Sequence, residues 1–144
     1  MKYKEVYMNL FDADREYALA HCVSEDFKMG AGVAKQFKER FPEMKECVIH
    51  KGYKVGDVVP YVSKNNQLTL NLITKEKYYH KPTYQTFQEA IENLKIYCDA
   101  FEIRKLAIPL LGAGLDKLDW NINKEIIKSI FKDTDIEILV CKIR

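Results

Sequence analysis

Val6, Met8 and Leu10 alternate with polar positions and predict a first strand over 4–10. Residues 17–22 form a nearly continuous apolar run, the signature of a strand buried on both faces. Val33, Ala34, Phe37 and Phe41 fall on one face at helical spacing, so 31–41 reads as an amphipathic helix that Pro42 stops. Strands are expected over 57–62 and 68–73, joined as a hairpin through Lys64, Asn65 and Asn66. Phe87, Ile91, Leu94, Cys98 and Phe101 keep helical spacing, with Thr86 and Glu89 as a capping box and Pro82 near the first turn. A strand over 104–109, a helix carrying Ile122, Ile126, Ile127, Ile130 and Phe131, and a strand over 136–143 complete the chain. Alternation of strands and helices predicts an α/β fold, mainly parallel, with right-handed crossovers and helices on both faces. In such sheets ligands bind beyond the carboxyl ends of the strands.

Composition narrows the reading. The 144 residues fit a single domain, 1–144, with no linker-like break. Twenty-three basic and 21 acidic residues leave a net charge of +2, too balanced for a protein held to nucleic acid mainly by phosphate charge. No apolar run approaches a membrane span, and residues 1–5 lack the apolar stretch of a signal peptide, so a cytoplasmic protein is expected. Cys22, Cys47, Cys98 and Cys141 are scattered and read as reduced core thiols. His21, His50 and His80 make no ligand pair, so neither a metal nor another cofactor is expected.

Three loops follow predicted strands. Residues 24–32 end in Gly30-Ala31-Gly32 and run into a helix, Thr74 and Lys75 follow the strand ending at Ile73, and 110–116 contains Gly112-Ala113-Gly114. Glycines let a ligand approach backbone N–H groups, and a helix N-terminus behind them favours an anion. Each Gly-x-Gly alone reads as a turn. Neither completes G-x-G-x-x-G, because Lys35 and Lys117 stand at the last position, and no P-loop occurs. Two such loops at one sheet edge favour a ligand containing phosphate. Lys75 alone reads as a solvated charge, and Asp116 as the N-terminal carboxylate of the next helix. Together they offer an amine and a carboxylate beside an anion site.

The stretches Asn9-Leu10-Phe11, 20–26, Met29–Ala34, Leu72–Lys75, His80–Tyr84, Gly112–Asp116 and Thr134–Ile136 resemble the macrodomain family in order and spacing. Within it they are most similar to the terminal ADP-ribose protein glycohydrolases, which also deacylate O-acetyl-ADP-ribose; Lys75 with Asp116 marks that branch. The resemblance implies a three-layer α/β/α fold around a mixed sheet, with ADP-ribose in a cleft at the strand ends. It implies diphosphate contacts from Gly30, Ala31, Gly32, Leu110, Leu111, Gly112, Ala113, Gly114 and Leu115. The distal ribose would face Ser24, Lys75 and Asp116, with Thr74 also among the substrate-binding residues; Asn9 and Leu10 would lie at the adenine, with Ile143 close by. Lys75 would attack C1 of the distal ribose, and Asp116 would act as acid–base and resolve the adduct. The implied partners are ADP-ribose, ADP-ribosylated proteins and O-acetyl-ADP-ribose, for a monomer without a membrane partner.

That chemistry makes a demand, since a free lysine with a pKa of about 10.4 is almost wholly protonated at neutral pH. Three positions depart from the family pattern. Asn9 replaces an aspartate that reads the adenine amino group, Cys141 replaces a related aromatic, and Ala113 replaces a cysteine. Asparagine still offers an acceptor oxygen but no charge. The alternatives are a non-catalytic ADP-ribose reader, a hydrolase of ADP-ribosylated DNA bases using Tyr78, Tyr79, His80, Lys81 and Tyr84, and a phosphatase on ADP-ribose 1″-phosphate.

Overall fold

Six strands form one mixed sheet in the spatial order β1-β6-β5-β2-β4-β3 in the computed structural model. The structure describes residues 1–143; Arg144, the last residue of the expected 1–144 domain, lies outside the described residues. In chain order the elements are β1 (Lys2–Tyr7), β2 (Ala18–Ser24), α1 (Gly32–Arg40), α2 (Met44–Val48), β3 (Val58–Val62), β4 (Leu68–Lys75), α3 (Tyr84–Ala100), β5 (Lys105–Ile108), α4 (Trp120–Phe131) and β6 (Glu137–Lys142). All pairings are parallel except β3 with β4, which is the expected hairpin. Asn66 takes φ 63° in its turn, a conformation asparagine tolerates well.

Strand alternation divides the core into two layers. Ala18, Ala20, Leu70 and Leu72 face Phe87, Ile91, Ile127 and Phe131 of α3 and α4. Leu19, Val23 and Ile73 point the other way, onto Phe37, Met44 and Val48 of α1 and α2. Helices therefore cover both faces, giving the three-layer α/β/α arrangement. Each fully buried side chain of this kind contributes about 1.5–3 kcal/mol. The second layer also holds a polar pair. Asn71 donates through Nδ2 to Val59 O at 3.0 Å, and its Oδ1 lies 2.5 Å from His21 Nε2. The His21 ring stacks on Phe37 with centroids 3.6 Å apart.

Several expected boundaries move, each for a local reason. The first strand ends at Tyr7, because Asn9 accepts from Phe11 N at 2.9 Å and caps a 3-10 turn over Leu10–Asp12. The capping box of α3 is Thr83 with Thr86, not Thr86 with Glu89: each residue's hydroxyl accepts from the other's backbone N–H at 3.0 Å. The short α2 was not expected, and it leaves Cys47 exposed rather than in the core. Strand β4 runs two residues beyond Ile73, so Thr74 and Lys75 belong to the strand and not to a loop.

Candidate functional site

The five parallel strands end on one edge of the sheet, and that edge collects the site residues expected from the sequence. Read across the strand order, Asn9 and Leu10 follow β1, Ile143 follows β6, and Leu110–Asp116 follow β5. Ser24 and then Gly30, Ala31 and Gly32 follow at β2, and Thr74 and Lys75 end β4. Antiparallel β3 begins at the same edge, just after Val55. Leu10 is buried against Phe37 and its neighbours, whereas Ile143 is exposed.

Lys75 owes its position to strand pairing. A register shift at Val23/Ser24 sets Ser24 opposite Lys75, and Glu25 N donates to Lys75 O at 3.0 Å. Its ammonium donates to Asp116 Oδ1 at 2.6 Å, and both side chains are only 14% exposed. A partly buried pair at this distance is less screened than a surface ion pair. Asp116 is available because it does not cap α4. Asp119 does so, accepting from Asn121 N at 2.8 Å.

The loop that presents Asp116 is clamped from below. Gly112 adopts φ +72°, and an added Cβ would meet Asn123 Nδ2 at 2.9 Å and the Phe87 ring at 3.2 Å. Asn123 in turn donates to Leu111 O at 2.9 Å. Burial pushes the Cys22 thiol well above its ordinary value, the Asp116 charge adds to this, and the N–H of Gly112 bonds its sulfur. A thiol held protonated in this way is a poor nucleophile.

The first Gly-Ala-Gly segment meets the residue that follows the second. Gly32 has φ +61°, and a Cβ there would lie 3.2 Å from Leu115 Cδ1. Ala31 is the N-cap of α1 without a side-chain cap bond, so the positive end of that helix is not neutralised by its own cap. Gly30 and Gly114 have no such constraint: Gly114 has nothing within 4 Å of an added Cβ, and Gly30 only Lys28 Cγ at 3.8 Å.

Two residues outside the expected site set organise it. Asp26 accepts from Ser24 Oγ and from Lys28 N at 3.2 Å, and Tyr78 N donates to its other oxygen at 3.1 Å. Partial burial pushes its carboxyl up, but these hydrogen bonds and the Lys77 charge outweigh that and hold it below its usual value. Lys81 reaches across to Leu115 O at 2.7 Å, joining the segment after β4 to the segment after β5. An aspartate two residues before Lys28 in a polar turn was the readable signal for the first; for the second it was the place of Lys81 in the basic, aromatic run 78–84.

The family pattern described as the Macro domain matches residues 20–127 of this chain. The chain belongs to the macrodomain family. The human ADP-ribose glycohydrolase OARD1 is 37% identical over 132 residues, 92% of this chain and 86% of that protein. A DNA ADP-ribosyl glycohydrolase of Thermus aquaticus is 29% identical over 78% of this chain and 33% of its own length. The solved macrodomain of Thermus aquaticus DarG superposes with a TM-score of 0.87 at 26% identity, covering 96% of this chain and 97% of that one.

Proposed function

We propose that this macrodomain hydrolyses the bond between C1 of the distal ribose of ADP-ribose and a carboxylate, on an acidic side chain or a small acyl ester. The observation that carries the reading is the 2.6 Å contact between Lys75 Nζ and Asp116 Oδ1 at the strand edge beside two glycine loops. The 37% identity to an ADP-ribose glycohydrolase supports it. The uncapped start of α1 and the Gly112–Gly114 backbone suit a diphosphate.

In the reaction Asp116 takes a proton from Lys75, and the freed amine attacks C1. The C1–O bond breaks and its electron pair leaves with the acyl oxygen as carboxylate. Asp116 then gives up that proton to solvent, takes one from the attacking water as the C1–N bond breaks with its electron pair on the lysine nitrogen, and returns it to the amine, releasing ADP-ribose. Because β4 pairing fixes the Lys75 backbone, the nucleophile is presented from a rigid element.

The two residues predict different failures. Lys75→Ala is expected to bind ADP-ribose but release none from a modified protein. Lys75→Arg is equally inactive, since a guanidinium stays protonated. Asp116→Ala slows release by about 10²–10⁴-fold, the usual worth of a general acid–base; the neutral fraction of the amine still attacks, but breakdown lacks its acid–base, so ADP-ribose accumulates on Lys75. Intact-protein mass spectrometry with a release assay reads all three. Full activity in Lys75→Ala removes the lysine mechanism and leaves water attack led by Asp116, whereas a non-catalytic reader would show no release even in wild type.

A second reading, removal of ADP-ribose from DNA bases, draws on the exposed rings of Tyr78 and Tyr79 beside Lys28, whose ammonium lies 5.6 Å from the Tyr78 centroid. The similarity to a DNA ADP-ribosyl glycohydrolase favours it. Turnover of an ADP-ribosylated oligonucleotide beside a glutamyl-linked peptide separates the two.

A further inference from the structure

Beyond Lys75, towards the entry to β3 and the N-terminus of α3, the sheet edge opens into a cleft of 420 Å³. Val55, Thr74, Lys75, His80, Lys81 and Thr86 line it, with Glu76 and Thr83 completing the wall; neither Gly-Ala-Gly loop does. Its place along the edge is informative. The segments expected at adenosine, diphosphate and distal ribose follow one another from β1 to β4. The next space along that line is where the group attached to C1 must go.

Three features suit that space to an anion. Thr74 is 1% exposed, and its Oγ1 has no hydrogen-bond partner among the described residues. A buried unpaired hydroxyl costs about 1–3 kcal/mol, so a partner brought by a ligand is favoured there. Lys81 spends one ammonium proton on Leu115 O at 2.7 Å and keeps two to donate. The 17-residue helix α3 begins at this wall, with its capping pair Thr83 and Thr86 in the lining, so its positive end adds to the field. Glu76 is the single acid among the lining residues, against the Lys81 ammonium; the Lys75 ammonium is already paired with Asp116.

We propose that this cleft is a leaving-group subsite: it receives the carboxylate departing from C1 of the distal ribose, with the Lys81 ammonium and the Thr74 hydroxyl as donors. The inference rests on the reaction proposed above. As Lys75 Nζ bonds to C1, the acyl oxygen keeps the C1–O electron pair, and Asp116 holds the proton removed from the amine. Negative charge grows on the acyl oxygen only as the bond breaks. Donors aimed there bind the transition state better than the neutral ester and raise kcat.

The experiment uses the full chain and three forms: wild type, Lys81→Met, which keeps the stem without the charge, and Thr74→Val, which keeps the shape without the hydroxyl. Substrates are 1″-O-acyl-ADP-ribose esters of acids that differ in pKa. The expected result is a kcat loss of about tenfold or more for the ester of the weakest acid, as for removal of one oxyanion donor. That loss shrinks as the acid strengthens, while the Kd of Lys81→Met for free ADP-ribose changes less than twofold. A merely structural role would depress all esters equally. An equal loss across the series, a parallel loss of ADP-ribose affinity in Lys81→Met, or wild-type rates in both variants would each overturn the subsite. Lys75→Ala in the same assay keeps the two ideas apart. Its inactivity alongside wild-type rates in Lys81→Met and Thr74→Val leaves the reaction standing without the subsite, whereas its full activity removes both.

Discussion

Gly112→Ala probes the seat of the loop that carries Asp116. At φ +72° an alanine meets a backbone cost of about 1–2 kcal/mol. Its Cβ would fall 2.9 Å from Asn123 Nδ2 and 3.2 Å from two Phe87 carbons. Both neighbours are fully buried, so neither can swing into solvent, and overpacking adds about 1–3 kcal/mol. If Asn123 gives way, its bond to Leu111 O is lost, at about 1 kcal/mol more. The total of about 3–6 kcal/mol is a large share of the roughly 5–15 kcal/mol that holds a domain folded. Gly114→Ala is the internal control. It occupies the matching place in the same tripeptide but meets nothing within 4 Å, so it should stay within about 0.5 kcal/mol of wild type. Equilibrium urea unfolding, followed by the single tryptophan, Trp120 of α4, and by far-UV circular dichroism, compares the three. The expected outcome is a much lower midpoint for Gly112→Ala at an unchanged slope. Equal midpoints for the two alanine variants would refute the clamp by Asn123 and Phe87.

Asn9→Ala should weaken ADP-ribose binding by about 0.5–1.5 kcal/mol, the net worth of one neutral hydrogen bond, and calorimetry showing unchanged affinity in the folded variant would place the adenine elsewhere. Asn9 Oδ1 already accepts from Phe11 N, but a carbonyl oxygen has a second lone pair for an amino group. Burial holds His21 down to about 4 from its ordinary 6.5, with the Asn71 contact opposing. The unfolded chain therefore binds the proton first. Stability is full above pH 6.5 and falls as the pH drops towards 4, by about 2–3 kcal/mol between pH 7 and 4.5. Urea unfolding at those two pH values should show this loss in wild type and a clearly smaller one in His21→Gln; equal losses would exclude His21 as the source.

How much was legible depended on how far each signal reaches along the chain. Apolar periodicity placed every strand of the sheet and the three longer helices, because burial of Phe87, Ile91 and Ile127 follows from their own spacing. It stopped β4 at Ile73, since Thr74 and Lys75 are polar. The strand continues because β2, about 50 residues away in sequence, supplies paired backbone at Ser24 and Glu25. Two overlapping candidates for the α3 capping box had similar chemistry, and only the extended backbone of Thr83, at φ −103° and ψ 165°, distinguishes them. The thiols of Cys98 and Cys141 are buried as their apolar surroundings in sequence suggest, whereas the exposure of Cys47 depends on the unforeseen α2.

The choice between Asp116 and Asp119 shows why the chemistry was harder to read than the fold. Both acids precede the apolar pattern of α4, and either could serve the helix start by local rules. The outcome is decided below the loop. Gly112 and Asn123 fix where the segment leaves the core, and Leu118 N then donates to Gly112 O at 2.9 Å, closing the turn that carries Asp116. Asp119 is thereby left at the first turn of α4, and Asp116 projects towards β4. Its partner Lys75 lies 41 residues away in sequence, so no local pattern encodes the pair. A buried glycine, an asparagine one helix turn into α4 and a strand two residues longer than its apolar pattern together bring the amine and the carboxylate to 2.6 Å. Residues that make no contact with the reacting groups therefore set the geometry on which the proposed reaction depends.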